Sequence, residues 1–393
     1  MLSPATIALV KATAPALQAH GETITRHFYN ALFTRYPQTR EFFNQQHQAS
    51  GSQPRALAGA VVAFAAHVDR LDALASALPL IINKHVALGV LPEHYPIVGE
   101  VLLDSIEAVL GAAATPEILT AWGEAYGFLA SLLVGAEEQV YRAHEQQPGG
   151  WRGPRAFRVA RRQRESEVIA SLYLEPADGG ALPVFAPGQY VTLLLDIDGT
   201  KLRRNYSLSD SPGKPWLRIS VKREPNGVAS CFLHDRVHEG DTLALLPPSG
   251  NFVLEDSNRP LVLLTGGVGI TPALSMLNAV AGSGRSVRFI HAALHSGTHA
   301  FREHVDELAR AHANVSRYYV YSEPREGDVA DAHGYLTSEL LASHLPADRD
   351  VDLYFLGPRA FMAAAMKAAR SLGVPASQVR YEFFGPLEPL DAA

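Results

Sequence analysis

The chain reads as a multidomain protein: an all-α segment, then a small antiparallel β-barrel, then an α/β segment built on a parallel sheet. Three observations predict that order. Apolar residues near the start recur at helical spacing, as in Val61, Phe64, Val68 and Leu71, and steps of three and four place side chains on one helix face. After the linker Gln146-Gln147-Pro148-Gly149-Gly150 the texture changes to short β-prone runs separated by polar, Gly and Pro turns. From Pro260 onward apolar strand-like runs alternate with helical stretches, which is how a parallel sheet covered by helices is written. At 393 residues, 47% hydrophobic and 19% charged, the chain exceeds what one ordinary core can hold, and the expected domains are 1–147, 148–258 and 259–393.

In the first domain Pro37, Pro54, Pro79, Pro92, Pro96 and Pro116 fall between or at the starts of helical stretches, where a missing N–H costs least. Several helices with short connections are expected. In the second, residues 157–160, 168–174, 190–195, 206–209 and 217–221 are the expected strands of the barrel. In the third, residues 261–265, 287–291, 317–321 and 352–356 are the expected strands of the parallel sheet.

Composition removes several function classes. The 40 acidic and 34 basic side chains give a net charge of -6 with no dense basic cluster, so nucleic acid is not an expected partner. The single cysteine, Cys231, allows no internal disulfide and no cysteine cluster for zinc or iron–sulfur; it reads as a small buried apolar residue in a chain of the reducing cytoplasm. Residues 1–20 carry one Lys11 and a short apolar stretch at 7–10, a poor match to a signal peptide. No charge occurs between Arg259 and Arg285, yet Gly266-Gly267, Gly269 and Thr271-Pro272 interrupt that stretch, so strand, turn and helix are expected there rather than stable membrane insertion.

The residues that carry chemistry lie in each third. His85 shares a helix face with Ile81 and Leu88. A lone histidine on an apolar face is more often a hydrogen-bonded core or surface residue than a metal ligand. Here it is accompanied by Tyr36-Pro37 leading into Phe42-Phe43, and by Gln53 and Leu57 four residues apart. In Arg204-Asn205-Tyr206-Ser207, strand alternation points Arg204 and Tyr206 one way and Ser207 the other. Asn226-Gly227-Val228-Ala229-Ser230 leads a glycine turn into a helix, whose free N–H groups suit an anion, although Asn-Gly is also an ordinary hairpin turn. Gly266-Gly267-Val268-Gly269-Ile270-Thr271-Pro272 follows a buried-strand pattern and opens a helix, with Pro272 where the third glycine of a dinucleotide fingerprint would stand.

With Thr25-Arg26-His27-Phe28-Tyr29, Lys84-His85, the run from His94 to Glu100, and the tail Tyr381-Glu382-Phe383-Phe384-Gly385-Pro386, these motifs make the chain resemble the flavohaemoglobins over its whole length. The resemblance implies a globin, a ferredoxin-reductase-type flavin barrel and a nicotinamide domain, with haem b, FAD and NAD(P)H as cofactors. It implies that His85 is the proximal iron ligand, that Phe43 packs on the porphyrin, that Tyr29, Gln53 and Leu57 line the distal side, and that Tyr95 and Glu137 stand behind His85, beside Lys84. A carboxylate accepting the second ring N–H makes an imidazole a stronger donor, which favours turnover over storage. Arg204 is then expected at the FAD pyrophosphate, Tyr206 on the isoalloxazine, Ser207 near its reactive nitrogen, and Tyr190 against the flavin or its adenine. Asn205 belongs to the same motif, and Gly227, Val228 and Ser230 form the second phosphate element. Gly267, Val268, Gly269, Ile270, Thr271 and Pro272 would approach the dinucleotide. Glu382, Phe383, Phe384, Gly385 and Pro386 would cover the flavin, Glu382 tuning its potential.

The implied activity is nitric oxide dioxygenation, in which NAD(P)H reduces FAD, FAD reduces haem, and nitric oxide and O2 give nitrate. The alternatives are reduction of hydroperoxides or ferric iron, and an oxygen-sensing or carrier globin. A monomer with no obligate protein partner is expected. Two departures from the family pattern stand out: Leu356 precedes Gly357-Pro358 where cysteine is usual, and Leu387-Glu388-Pro389 follows the tail motif.

Overall fold

Ser3 begins the first helix: its hydroxyl accepts from the Thr6 N–H at 3.0 Å, and Pro4 follows at a position whose missing N–H would be unpaired anyway. In the computed structural model, which describes residues 2–44, 48, 51–75 and 77–384, this helix, α1, runs Pro4–Arg35 and stops at Tyr36-Pro37. A 3-10 turn at Pro37–Phe42 leads toward α2 (Ser52–His67), α3 (Leu78–Leu88), α4 (His94–Leu110) and α5 (Pro116–Gln146). All six prolines named above lie between these elements or in their first turns.

One face of α1, carrying Val10, Leu17, Ile24, Phe28 and Leu32, forms the spine of the helical core. Phe64 and Ala65 of α2, Val101 and Ile106 of α4, and Trp122 and Ala125 of α5 pack against it. By length and composition alone α5 could cross a membrane. It instead places Trp122 and Ala125 in that core and carries Glu137, only 2% exposed, toward two neighbouring helices. The crossing of α4 and α5 depends on Gly99, because a Cβ there would come within 2.5 Å of the Tyr126 ring. That closeness lets the Tyr126 hydroxyl donate to the Tyr95 carbonyl at 2.6 Å.

The second unit is a six-stranded antiparallel sheet of β1 (Arg155–Arg164), β2 (Ile169–Pro176), β3 (Tyr190–Ile197), β4 (Thr200–Ser207), β5 (Leu217–Lys222) and β6 (Thr242–Leu245), in the order β4-β3-β6-β1-β2-β5. A bridge between Leu208 and Ile219 curls its two edges toward each other, so the sheet approaches a barrel. Alternate residues such as Phe157, Val159, Leu172, Leu174, Leu193 and Leu195 fill the interior. The strand expected at 206–209 is the end of β4, and β6, which the sequence reading did not include, sits between β3 and β1. A short helix, α6 (Val228–Asp235), follows β5.

The third unit is a parallel sheet of order β10-β9-β8-β7-β11-β12. Its elements are β7 (Leu261–Gly266), α7 (Ile270–Val280), β8 (Val287–Ala293), α8 (Arg302–Ala311), β9 (Val315–Tyr321), β10 (Ala332–His333), α9 (Ser338–Ala342), β11 (Asp352–Leu356), α10 (Arg359–Ser371) and β12 (Val379–Tyr381). The chain winds outward from β7 first on one side, through β8 and β9, and then on the other, through β11 and β12. Strand order therefore reverses between β7 and β11, and a crevice opens at the carboxyl ends of these two strands.

Gly99→Ala should force the Tyr126 ring away and break its bond to Tyr95, destabilising the helical unit by about 1–3 kcal/mol. Urea unfolding followed by helical circular dichroism measures this; an unchanged midpoint would show that the α4–α5 crossing has slack.

Candidate functional site

Three helices converge on one carboxylate. His85 on α3 places Nδ1 2.7 Å from Glu137 Oε1 and 3.0 Å from the Tyr95 hydroxyl, and Tyr95 donates to the same Glu137 oxygen at 2.5 Å. Glu137 and Tyr95 are both buried. A buried carboxylate is tolerated only when donors satisfy it, and here a ring N–H and a phenol do so. Burial, together with the Glu137 carboxylate, pushes the Tyr95 hydroxyl far above the usual phenol range, so it remains a donor. With Nδ1 held by Glu137, the nitrogen left to ligate a metal is Nε2.

Tyr29 of α1 is buried within an aromatic cluster. Its ring lies 5.1 Å from Phe28 and 5.4 Å from Phe43, both edge-on, and 5.8 Å from Phe33. Burial pushes its hydroxyl well above the usual range, while a hydrogen bond with Gln48 acts the other way. Gln48 in turn donates to Gln53 at 3.0 Å. Sequence reasoning found Gln53 but not Gln48, which belongs to no motif. Leu57 packs on the same apolar cluster as Tyr29 and Phe43.

Among the described residues no three His, Cys, Asp or Glu side chains gather to hold a metal ion. One imidazole with a carboxylate behind it, plus an aromatic and aliphatic wall, is the donor set of an iron whose other ligands come from a macrocycle. It fits haem.

The Arg204–Ser207 motif occupies the end of β4, where Tyr190 pairs with Ser207 and Val191 with Tyr206. Arg204 is held by a 2.8 Å bond from Nη1 to the Arg203 carbonyl, which leaves other N–H groups for an anion. Tyr206 packs partly on the barrel core, Ser207 is buried, and Asn205 accepts from Thr192 at 2.9 Å. Gly227 precedes α6, yet the Ser230 hydroxyl there is engaged locally, accepting from the Glu224 N–H at 3.1 Å and donating to the Gly227 carbonyl at 3.2 Å. The Val228 side chain is exposed.

Lys84, adjacent to His85, is the point where all three units meet. Its ammonium lies 5.7 Å from the centre of the Tyr190 ring, and its charge acts on Glu382 just past β12. Burial pushes the Glu382 carboxyl up to about 7, with Lys84 opposing the shift, and Oε2 has no partner among the described residues. Phe383 packs on the core of the parallel sheet and meets Tyr381 edge-on at 5.9 Å, whereas Phe384 is exposed. Gly385 and Pro386 lie outside the described residues.

At the crevice, Gly267–Gly269 forms a 3-10 turn between β7 and α7. A Cβ on Gly269 would come within 2.3 Å of the Leu356 carbonyl, so glycine lets the two crevice loops touch. Ile270, Thr271 and Pro272 are buried, and the Thr271 hydroxyl donates to Val268 at 3.0 Å. Gly267 and Val268 are partly exposed, and backbone is the main thing this turn can offer a ligand.

Comparison with known proteins follows the same division. Residues 26–133 match the globin family, 159–254 the oxidoreductase FAD-binding domain and 263–367 the oxidoreductase NAD-binding domain. The chain is 56% identical to a "Flavohemoprotein" of Pseudomonas aeruginosa over 393 residues, covering 100% of both chains. The chain belongs to the flavohaemoprotein family. A second flavohaemoprotein, from Deinococcus radiodurans, is 48% identical over 98% of each chain. Among solved structures, a flavohemoglobin of Malassezia yamatoensis with bound FAD and heme superposes with a TM-score of 0.85 at 26% identity, over 98% of this chain and 100% of that one. The FAD/NAD binding domain of a nitric oxide dioxygenase from Vibrio cholerae matches with a TM-score of 0.55 at 34% identity, over 59% of this chain and 99% of that one. This flavohaemoprotein is thus an oxidoreductase whose cofactors are haem, FAD and a nicotinamide dinucleotide.

Glu382 makes a pH prediction. In the unfolded chain its carboxyl ionises near 4.5, but in the folded protein only at about 7. The protonated form is therefore favoured by folding: the contribution is complete below the lower value and lost as pH rises through the upper one. Glu382→Gln should flatten the fall in unfolding midpoint between about pH 5 and about pH 8. Parallel pH profiles for the two proteins would mean that the carboxyl is not held in a buried site.

Proposed function

We propose that this flavohaemoprotein is a nitric oxide dioxygenase that uses NAD(P)H to convert nitric oxide and O2 to nitrate. The reading is carried by the His85–Glu137–Tyr95 network, in one chain with a flavin-type strand and a nicotinamide-type crevice. A store or carrier of oxygen has no use for built-in reductase modules. When bound, the nicotinamide supplies a hydride, FAD divides its electron pair into single electrons, and haem supplies the iron at which oxygen is activated.

The residues prepare each part. Glu137 accepts from His85 Nδ1, fixes the ring and strengthens its other nitrogen as a donor. The Tyr29 hydroxyl, kept protonated by burial, supplies one hydrogen-bond donor in an otherwise aromatic pocket, suited to oxygen carrying partial negative charge. Gln48 and Gln53 bring the polar groups that position it. On β4, Arg204 offers its guanidinium to a pyrophosphate, and Tyr206 presents its ring on the same side of the strand. At the crevice, the backbone of Gly267 and Val268 is open to a dinucleotide. Lys84, Tyr190 and Glu382 occupy the place where the three units meet, and electrons must pass there.

The decisive assay is anaerobic and aerobic nitric oxide consumption with NAD(P)H. Oxygen-dependent consumption with nitrate as product is expected, and NAD(P)H oxidation without nitrate would overturn the reading. Tyr29→Phe should raise the oxygen dissociation rate on the order of 10- to 100-fold, the worth of a hydrogen bond to a charged acceptor. An unchanged off-rate would remove Tyr29 from the distal role.

A further inference from the structure

Arg203 stands beside the flavin motif but faces the other way. Neighbours on a strand point to opposite faces, so while Arg204 and Tyr206 share one side of β4, Arg203 projects from the other, toward the helical unit. Its side chain is only 12% exposed, and its ion pair with Glu41 measures 2.6 Å between Nη2 and Oε1. Nη1 donates to the Leu88 carbonyl, the last residue of α3. The guanidinium also lies 3.8 Å over the Phe42 ring, which meets His94 edge-on at 4.9 Å.

These contacts lie close in the chain to residues of the proposed haem pocket. Leu88 is one turn beyond His85, Phe42 precedes Phe43, and His94 precedes Tyr95. The carbonyls of a helix's last turn lack intrahelical partners and carry partial negative charge, so a cation is the natural cap. Gly89, at φ 71°, makes room: a Cβ there would come within 2.9 Å of Arg203 Nη1. The Nε group is buried without a partner among the described residues, so the terminal nitrogens carry the docking. A stacked guanidinium that bonds one partner through each terminal nitrogen fixes both distance and orientation, which a lysine cannot do.

We propose that Arg203 is a positioning residue for electron transfer, capping the His85 helix from the flavin-binding strand and thereby setting the separation of the two redox sites. This rests on the reading above only in supposing that electrons cross from flavin to haem. Such transfer falls off with distance, so loosening the contact between the helical unit and the flavin-binding strand slows it.

The test separates the two electron steps in the full-length holoprotein. After anaerobic mixing with NADH, Arg203→Ala should reduce flavin at a rate within twofold of the unaltered protein, and reduce ferricyanide equally well, while haem reduction slows several-fold. Arg203→Lys should recover part of that loss. A readout independent of turnover is amide hydrogen exchange, which should quicken at Gly89 and Val90 in Arg203→Ala. Haem reduction within twofold of the unaltered protein, or unchanged exchange at those amides, overturns the proposal. If Arg203→Ala does not fold, Glu41→Gln, which removes only the ion pair, must slow haem reduction several-fold with flavin reduction intact. Absence of haem reduction in the unaltered protein would instead sink the reading of the activity, and the exchange experiment would still decide the clamp.

Discussion

A buried carboxylate must find donors or lose its charge, and Glu137 finds two: the His85 ring and the Tyr95 hydroxyl, each from a different helix. That requirement orders much of the helical unit. The helix α5 must bring an acid into the core, α4 must present Tyr95 at its start, and α3 must end soon after His85 at a left-handed glycine. Tyr126 then steadies the Tyr95 backbone, and Gly99 makes room for Tyr126. A histidine so held is fixed in orientation and made more electron-rich at Nε2, which is the physical basis for the proposal that the helical unit is reactive rather than a store.

The other two units meet the helical unit beside that histidine, not at it. Lys84 is the next residue, and it faces Tyr190 of the barrel and Glu382 of the parallel-sheet unit. On β4, the side facing the barrel's cofactor motif carries Arg204 and Tyr206, and the opposite side carries Arg203 into the helical unit. One strand therefore carries both the residues of the proposed flavin site and a docking element. The crevice between β7 and β11 arises from winding alone, with glycine at 269 allowing its two loops to touch.

Much of this was legible in the sequence because it is local. Periodicity marked the helices, proline marked their starts, and short β-prone runs between turns marked β1, β2, β3 and β5. The motifs around Lys84-His85 and Arg204–Ser207 carried the family. What escaped depends on contacts distant in the chain or on elements too short to show a period. The four-residue β6 and three-residue β12 have no pattern of their own and are strands only because neighbours pair with them. Leu208 and Ser209 read as strand by composition, but β4 ends at Ser207 and only a bridge continues it. Ile270, Thr271 and Pro272 lie in the motif and are buried at the start of α7, which leaves Gly267 and Val268 as its partly exposed part. Arg203 belongs to no sequence motif, and its partners at 41, 42 and 88 are visible only in the fold.

The most direct test of the central claim is the iron–histidine stretching frequency of the reduced, haem-loaded protein, compared with that of Glu137→Gln. The account predicts a lower frequency in the variant, because a neutral amide no longer draws the Nδ1 proton and the imidazole becomes a weaker donor. An identical frequency in both proteins would mean that Glu137 does not act on His85, and the electronic argument for a reactive haem would fall with it.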